Sequence, residues 1–275
     1  MKLSLSTPSM NLEPNSTDRW RVRLNLFFAL LQPLTPYLAL LLGGKDIGVR
    51  SDESPSLFTP PDYVFAIWGP IFLSMIAFAL YQIREKNIVS SRLRRVGWFT
   101  ASAMLLNIAW MFVVAIWGLG IIPGLIIAAM WAALMGAFFN LYSSTLPTRG
   151  ELVFVIFPIS IFSAWLTVAT LAGAAGLLTQ SQFFNGTVFS EAVRAGLLCA
   201  AAGVVACGLI LRNNGNGFVT TVFVWALAGI GLKSYQSSEF LVLSGSVLGI
   251  LTALAGYVHL HYRRGKSGGV NTRFA

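Results

Sequence analysis

Charged residues are scarce in this 275-residue chain. They make up 11% of it, against roughly 25% in a soluble domain, and the mean hydropathy is +0.71. Seven stretches of at least 17 residues contain no Asp, Glu, Lys or Arg, and together they cover 194 of the 275 residues. A soluble fold, a disordered tail or a disulfide-knit secreted module cannot be built from such a chain. The sequence therefore predicts a multi-pass membrane protein.

Side chains that usually carry catalysis or bind metals are also few. Cys199 and Cys207 lie about 12 Å apart on one predicted helix, too far for a disulfide. His259 and His261 are two residues apart and point to different helix faces. No HExxH, P-loop or GxSxG motif occurs, and acidic residues near span ends, such as Glu191, are predicted to be solvated. We therefore predict no metal site, no catalytic residues, no enzyme activity and no required cofactor.

Helices are the predicted spanning elements, because backbone polar groups in hydrocarbon must be paired within the protein. The apolar runs also lack the alternation of barrel strands. A span needs about 20 residues, so the uncharged stretch 96–148 is divided into two at its Gly- and Pro-rich centre. The chain then has eight predicted spans: 22–43, 62–83, 97–117, 122–144, 152–176, 192–211, 217–233 and 239–262.

The predicted fold class is an all-α integral membrane protein, with a five-helix transmembrane bundle followed by three additional C-terminal helices. Its predicted parts are a polar N-terminal tail (1–21), the five-helix membrane domain (22–178), a polar loop (179–191), a three-helix membrane extension (192–262) and a basic C-terminal tail (263–275).

Lys and Arg residues predict the orientation. Fifteen of the nineteen lie on the side that carries both termini, and four lie on the other side. Cytoplasmic loops retain positive charge, so both termini are predicted to be cytoplasmic, with the protein in the cell membrane if it is bacterial. The lipid bilayer is then a partner. No basic stripe with interleaved aromatics occurs, so nucleic acid is excluded as a partner.

Three spans carry tryptophans with polar or proline neighbours. The second begins with Pro60 and Pro61, followed by an aromatic stripe of Phe65, Trp68 and Phe72. This pattern fits an interfacial aromatic belt with a bundle contact, or a ligand-binding wall. The third span places an amide beside Trp110, and the fifth places Trp165 after a proline. Three inward tryptophans favour a flat-walled apolar pocket for a planar polycyclic ligand.

Asn107 lies about halfway along the third span, where an amide facing lipid would be costly. It is predicted to face the bundle interior and to hydrogen-bond either another helix or a ligand. The sixth and eighth spans repeat small residues at every fourth position, which predicts close helix packing, within this chain or between chains. These small residues are Ala195, Cys199, Gly203 and Cys207 in the sixth span, and Gly245, Gly249 and Ala253 in the eighth.

These motifs resemble the tryptophan-rich sensory protein family, also called the translocator protein or TspO/MBR family, in its longer, divergent branch. The resemblance is carried by the double proline with Tyr63, Phe65 and Trp68, by the segment LNIAW at 106–110, and by FP at 157–158 with AWLTVAT at 164–170. It covers about residues 22–178 and leaves the last three spans, 192–262, outside.

The resemblance implies a five-helix bundle, frequently dimeric, with a pocket that binds tetrapyrroles such as porphyrins and haem, or sterols. A homodimer is therefore an expectation. Carried over by position, Tyr63 and Phe65 would lie at the mouth of the pocket, and Trp68, Asn107, Trp110 and Trp165 would line it. From charge alone, Lys45 and Arg50 in the first loop are expected to act as mobile rim charges toward ligand carboxylates.

The leading hypothesis is a membrane protein that binds a planar hydrophobic small molecule, such as a porphyrin, haem or a sterol-like compound, and acts as a sensor or carrier. One alternative is a small-solute transporter or channel, which would need a polar path at the midplane. Another is a helix-packing subunit of a membrane assembly. Light-dependent porphyrin breakdown is implied by the resemblance only, since no acid, base or metal constellation supports ordinary catalysis.

Overall fold

The computed structural model describes residues 13–53, 56–142, 146–181, 190–213 and 215–266. Eight helices in this part of the chain are long and apolar enough to cross a membrane. Each overlaps one predicted span, so the predicted all-α membrane architecture is confirmed. The helices are α1 (Ser16–Leu41), α2 (Asp62–Ile83), α3 (Ser91–Trp117), α4 (Ile121–Phe139), α5 (Arg149–Gln180), α6 (Glu191–Arg212), α7 (Gly217–Gln236) and α8 (Phe240–Lys266).

Helix α1 begins six residues earlier than predicted, so residues 16–21 of the predicted polar tail are helical. Asn15 and Asp18 form a capping box, in which each side chain accepts a hydrogen bond from the other residue's backbone N–H. Such a cap supplies acceptors for N–H groups that have no partner within the helix. Capping therefore extends the helix into a segment whose hydropathy alone marked it as a tail.

Prolines change the helical pitch in two spans. Pro33 lies in a 3₁₀ turn, Gln32–Leu34, that divides α1 into two α-helical parts. In α5, a π-helical turn over Leu152–Ile156 precedes Pro158. Both the 3₁₀ turn and the π-helical turn follow from the missing N–H of proline, which removes one i to i−4 hydrogen bond.

Helices α1 to α5 form the bundle, in which α3 packs against α1 and α4, and α5 packs against α2 and α4. Helix α5 also packs against α7 and α6, so α5 is the most buried span. Its buried side chains include Phe162 and Trp165. Helix α5 therefore joins the bundle to the last three helices.

The last three helices, called the extension here (residues 191–266), pack through backbone contact. A Cβ atom added at Gly203 would lie 2.3 Å from the carbonyl oxygen of Gly249, and one at Gly245 would lie 2.2 Å from that of Gly196. Only glycine permits helices to approach so closely. The small-residue faces of α6 and α8 are therefore used within this chain, which resolves the alternative left open by the sequence.

A charged cluster joins α1 to α3 at the end of the bundle where both helices begin. Asp18 accepts hydrogen bonds from Arg94 Nε at 2.9 Å and from Arg21 Nη2 at 3.4 Å. Arg92 forms an ion pair with Glu151 of α5 at 2.7 Å. This end carries the excess of basic residues, and its placement in the cytoplasm stays a prediction.

Replacing Asp18 by Asn should lower the free energy of unfolding by about 2 kcal/mol, because the buried Arg21 and the partly exposed Arg94 both lose the carboxylate that they share. Arg94 is 32% exposed, so solvent screening keeps the loss moderate. The thermal midpoint in detergent micelles measures it. Glu85→Gln, an exposed change in the connection that follows α2, is the control, and an equal drop for both variants would contradict the prediction.

Candidate ligand-binding site

The bundle contains an apolar cavity of about 90 Å³, called the central cavity here. It lies between α3, α4 and α5, under the connection from α1 to α2. Four small residues of α5, at positions i, i+3, i+4 and i+7, form one of its walls; they are Ala169, Ala172, Gly173 and Gly176. Small side chains on one helical face thus leave space that larger ones would fill.

Three aromatic side chains from different helices line the central cavity: Phe65 of α2, Trp110 of α3 and Trp165 of α5. The ring centroids of Phe65 and Trp165 are 5.7 Å apart with an interplanar angle of 87°. Such an edge-to-face pair is a favourable arrangement of the two ring quadrupoles. Three predicted site residues are therefore brought to one cavity.

Trp68 lies on the other side of this aromatic pair. Its ring is 6.2 Å from Trp165 and stacks on Phe72 at 5.3 Å. It lines a second cavity of about 400 Å³, called the side cavity here, which has Phe65 in its wall as well. The aspartates Asp46, Asp52 and Asp62 also line the side cavity. Trp68 and Trp165 are thus in ring contact but line different cavities, and Phe65 and Ile47 line both.

Two indole N–H groups of the central cavity have no acceptor in the described part of the chain. They belong to Trp110, which is 8% exposed, and Trp165, which is 1% exposed. By contrast, Trp131 Nε1 donates to Thr167 Oγ1 at 3.0 Å. A buried donor without a partner costs about 1–3 kcal/mol, so these two groups favour a ligand that supplies acceptors.

Asn107 lines neither the central cavity nor the side cavity. It is fully buried, and its Nδ2 donates to Gln32 Oε1 of α1 at 2.8 Å. The prediction that it faces the bundle interior holds, and of the two predicted partners the structure shows another helix. Asn107 therefore joins α1 to α3, one helical turn before Trp110.

Tyr63 is half-exposed and packs edge-on against Trp225 of α7, with ring centroids 6.0 Å apart. It lines a third cavity of about 290 Å³, called the polar vestibule here. Its wall includes Asp62 at the start of α2 and Lys233 from the last turn of α7. Tyr63 is thus at the outer edge of the site, in contact with the extension.

The connection from α1 to α2 carries a short helix, Ile47–Asp52, called the loop helix here. Arg50 donates to the carbonyls of Ala115 and Ile116 at the end of α3, at 2.9 and 2.8 Å. The expectation of a mobile rim charge is therefore wrong for Arg50, because the last carbonyls of a helix lack intrahelical partners and bind a cation well.

Glu53 accepts hydrogen bonds from Lys45 and from Arg50. These two cations hold the pKa of the Glu53 carboxyl below its ordinary value. A lowered carboxyl pKa contributes stability above the unfolded pKa, and this stability is lost as the pH falls through the folded value. The ion pairs of this connection therefore persist at neutral pH and are lost only in acid.

Sequence reasoning missed two parts of the site. The stripe of small residues on α5 could have been found from its helical spacing, since Gly173 and Gly176 are at i and i+3. Glu191 of α6, predicted to be solvated, accepts a hydrogen bond from the backbone N–H of Leu57 at 2.9 Å. No local pattern indicates that contact, because its two residues are 134 positions apart.

A comparison with models of protein families matches residues 23–258 to a family described as TSPO-like protein. The chain belongs to the TSPO-like family. The resemblance to the TspO/MBR family is thereby confirmed. The match continues to residue 258, so the statement that 192–262 lie outside the resemblance is wrong. The motifs that carried it are concentrated in spans two, three and five, which is why the sequence reasoning ended the match early.

Comparison with curated proteins and with solved structures gives no match. This TSPO-like protein is an integral multi-pass membrane protein by its family and its apolar helices. Exposed leucines on α1 and α8, among them Leu30, Leu41, Leu251 and Leu254, present apolar surface to the bilayer.

Proposed function

We propose that this TSPO-like protein binds a planar, mainly apolar small molecule in the central cavity and acts as its sensor or carrier. A tetrapyrrole such as a porphyrin or haem, or a sterol-like compound, fits this class. The observation that carries the proposal is the pair of buried, unpartnered indole N–H groups on Trp110 and Trp165, two residues that line a mainly apolar cavity. Apolar walls with a few polar groups that fix orientation are typical of small-molecule sites.

The central cavity has to widen to accept such a ligand. Its volume of about 90 Å³ is below the roughly 300–1,000 Å³ of small-molecule sites. Phe65 lines both the central and the side cavity, so a change in its side-chain conformation would join them. The joined space would have Trp165 on one wall and Trp68 on another, with an interplanar angle of 85° between the two rings. A planar ring system could then stack on one indole and meet the other edge-on.

Removing one indole N–H at a time tests the proposal. Trp110→Phe and Trp165→Phe should each weaken the affinity for protoporphyrin IX about three- to tenfold, because a hydrogen bond to the ligand is lost. The Soret absorbance of the porphyrin follows binding without depending on tryptophan fluorescence. Etioporphyrin, which lacks the carboxylates of protoporphyrin, should bind both variants about as well as the wild type.

Trp131→Phe is the matched control, because its N–H already has an acceptor in Thr167. This substitution removes the same atoms from another tryptophan of the bundle and should leave the affinity for protoporphyrin IX unchanged. Equal weakening in all three variants would show a general packing effect and contradict the proposed site. Unchanged affinity in both Trp110→Phe and Trp165→Phe would contradict it as well.

The alternative of a small-solute transporter or channel gains no support from this geometry. It needs a polar path at the midplane, for which the chain offers Asn107 and the threonines of α5, Thr167 and Thr170. Asn107 Nδ2 is bonded to Gln32, while Thr167 accepts from Trp131 and donates to the Ser163 carbonyl at 2.8 Å. These hydrogen bonds run between and within helices, as is usual for membrane bundles.

A further inference from the structure

Residues 56–64, called the entry wall here, separate the polar vestibule from the central cavity. Thr59 and Pro60 line both spaces. The vestibule side has charged residues, including Asp62 and Lys233, whereas the central cavity is mainly apolar. A ligand that arrives from the vestibule therefore meets the entry wall before it reaches Trp110 and Trp165.

The extension holds the outer part of the entry wall by two hydrogen bonds. Glu191 Oε1 of α6 accepts from the backbone N–H of Leu57 at 2.9 Å. Lys233 Nζ of α7 donates to the backbone carbonyl of Thr59 at 3.2 Å. Among the described residues, no hydrogen bond joins positions 56–61 to α1, α3, α4 or α5.

The inner part of the entry wall contacts α7 directly. Trp225 Nε1 donates to the backbone carbonyl of Val64 at 3.1 Å, and Tyr63 packs against the same indole. One turn further along α7, a Cβ atom added at Gly229 would lie 2.3 Å from Val64 Cγ2. A glycine at this position thus lets the start of α2 lie directly on the backbone of α7.

The two sides of the opening are held by different parts of the molecule. The loop helix, whose Ile47 and Ser51 line the central cavity together with Thr59 and Pro60, is tied to the end of α3 through Arg50. The entry wall is tied to α6 and α7. A small displacement of α7 relative to the bundle therefore moves one side of the opening and leaves the other in place.

We infer that α6 and α7 control ligand access to the central cavity by holding the entry wall closed, with Glu191, Trp225 and Lys233 as positioning residues. The inference takes its ligand from the proposed function, but the attachment of the entry wall to α6 and α7 can be measured without a ligand. Loops that close over a site commonly limit the rates of ligand exchange, and local opening depends on the few contacts that hold the segment.

The test compares Lys233→Met and the double variant Trp225→Phe, Lys233→Met with the wild type in detergent micelles. Hydrogen–deuterium exchange of the peptide that covers 57–64 should become about tenfold faster in the double variant, because two of its attachments are lost. Stopped-flow binding of protoporphyrin IX should show association and dissociation both about five- to tenfold faster, with a smaller change in Kd.

Matched controls separate these effects from charge and packing. Lys86→Met removes the same charge from an exposed residue in the connection that follows α2, and Trp131→Phe removes an indole within the bundle. Both should leave exchange at 57–64 and the porphyrin rates unchanged. Lys233 is exposed, so its single substitution keeps the test valid if the double variant folds poorly.

The outcomes distinguish the two hypotheses. Unchanged exchange at 57–64 overturns the inference, and so do unchanged porphyrin rates beside faster exchange, since the ligand would then enter elsewhere. If the wild type does not bind protoporphyrin IX, the proposed function fails, and the exchange measurement alone decides whether the extension holds the entry wall. Faster exchange together with faster binding and release supports both.

Discussion

Gly173→Leu should abolish porphyrin binding and leave the protein at least as stable as the wild type. Gly173 lines the central cavity, and a Cβ atom there would be 4.0 Å from Ile127 Cγ2 across it, an ordinary van der Waals contact. The remaining leucine carbons would occupy the space that the ligand needs. Overlap of this kind costs several kcal/mol, so the affinity for protoporphyrin IX should fall at least about 100-fold.

The free energy of unfolding should stay the same or rise, because leucine is a better helix former than glycine by up to about 1 kcal/mol. The measurements are the Soret titration and the thermal midpoint in the same micelles. Gly208→Leu is the matched control, since the site on α6 is exposed and no atom lies within 4 Å of its Cβ position. Full porphyrin affinity in Gly173→Leu would place the ligand outside the central cavity.

Gly203→Leu should have the largest effect on stability. A Cβ atom at this position would lie 2.3 Å from the Gly249 carbonyl oxygen and 2.4 Å from its Cα. Backbone atoms cannot give way as a flexible side chain can, so α6 and α8 would have to separate along their contact. Overpacking of this severity costs about 3 kcal/mol or more, which lowers the thermal midpoint by roughly 10 °C.

Gly208→Leu, five residues along the same helix, is again the control and should not lower the midpoint, because leucine is the better helix former and meets no atom there. If α6 moves, Glu191 moves with it, so Gly203→Leu should also speed hydrogen exchange at residues 57–64. A variant with wild-type stability would mean that the close contact of α6 and α8 does not hold the extension together.

Much of the membrane architecture could be predicted from the sequence. Uncharged runs of about 20 residues fixed the number and order of the spans, because the bilayer demands long apolar helices whatever their neighbours. The ends of the helices were harder to predict than their number. Helix α1 begins at Ser16 since Asn15 caps it, and the hydropathy of 16–21, with its two arginines, indicated a tail instead.

The candidate site could be predicted only in part. The position of Trp110 and Trp165 along their spans was enough to predict that both lie in the interior. In the structure, Trp110 and Trp165 share one cavity while Trp68 lines another. Phe65, which is paired with Trp165, lines both cavities. Helical periodicity gives the face of a residue but not the rotation of one helix against the next, so it could not distinguish one chamber from two.

Two polar groups show the same limit. Asn107 was expected to bond a helix or a ligand, and Gln32 of α1, 75 positions away, proved to be its partner. Arg50 was expected to be mobile, yet it is held at the end of α3. Partners at such sequence distances are set by which helices are neighbours, and composition carries no information about that.

By itself, the sequence determined that this protein lies in a membrane as eight helices with aromatic and small-residue faces, because hydrophobicity and side-chain size are properties of each residue. Only the tertiary structure decided that α5 leaves a cavity beside Trp165, and that Glu191, Trp225 and Lys233 hold its entry wall. The physical reason is that hydrogen bonds and cavities depend on distances between helices, which local sequence patterns do not specify.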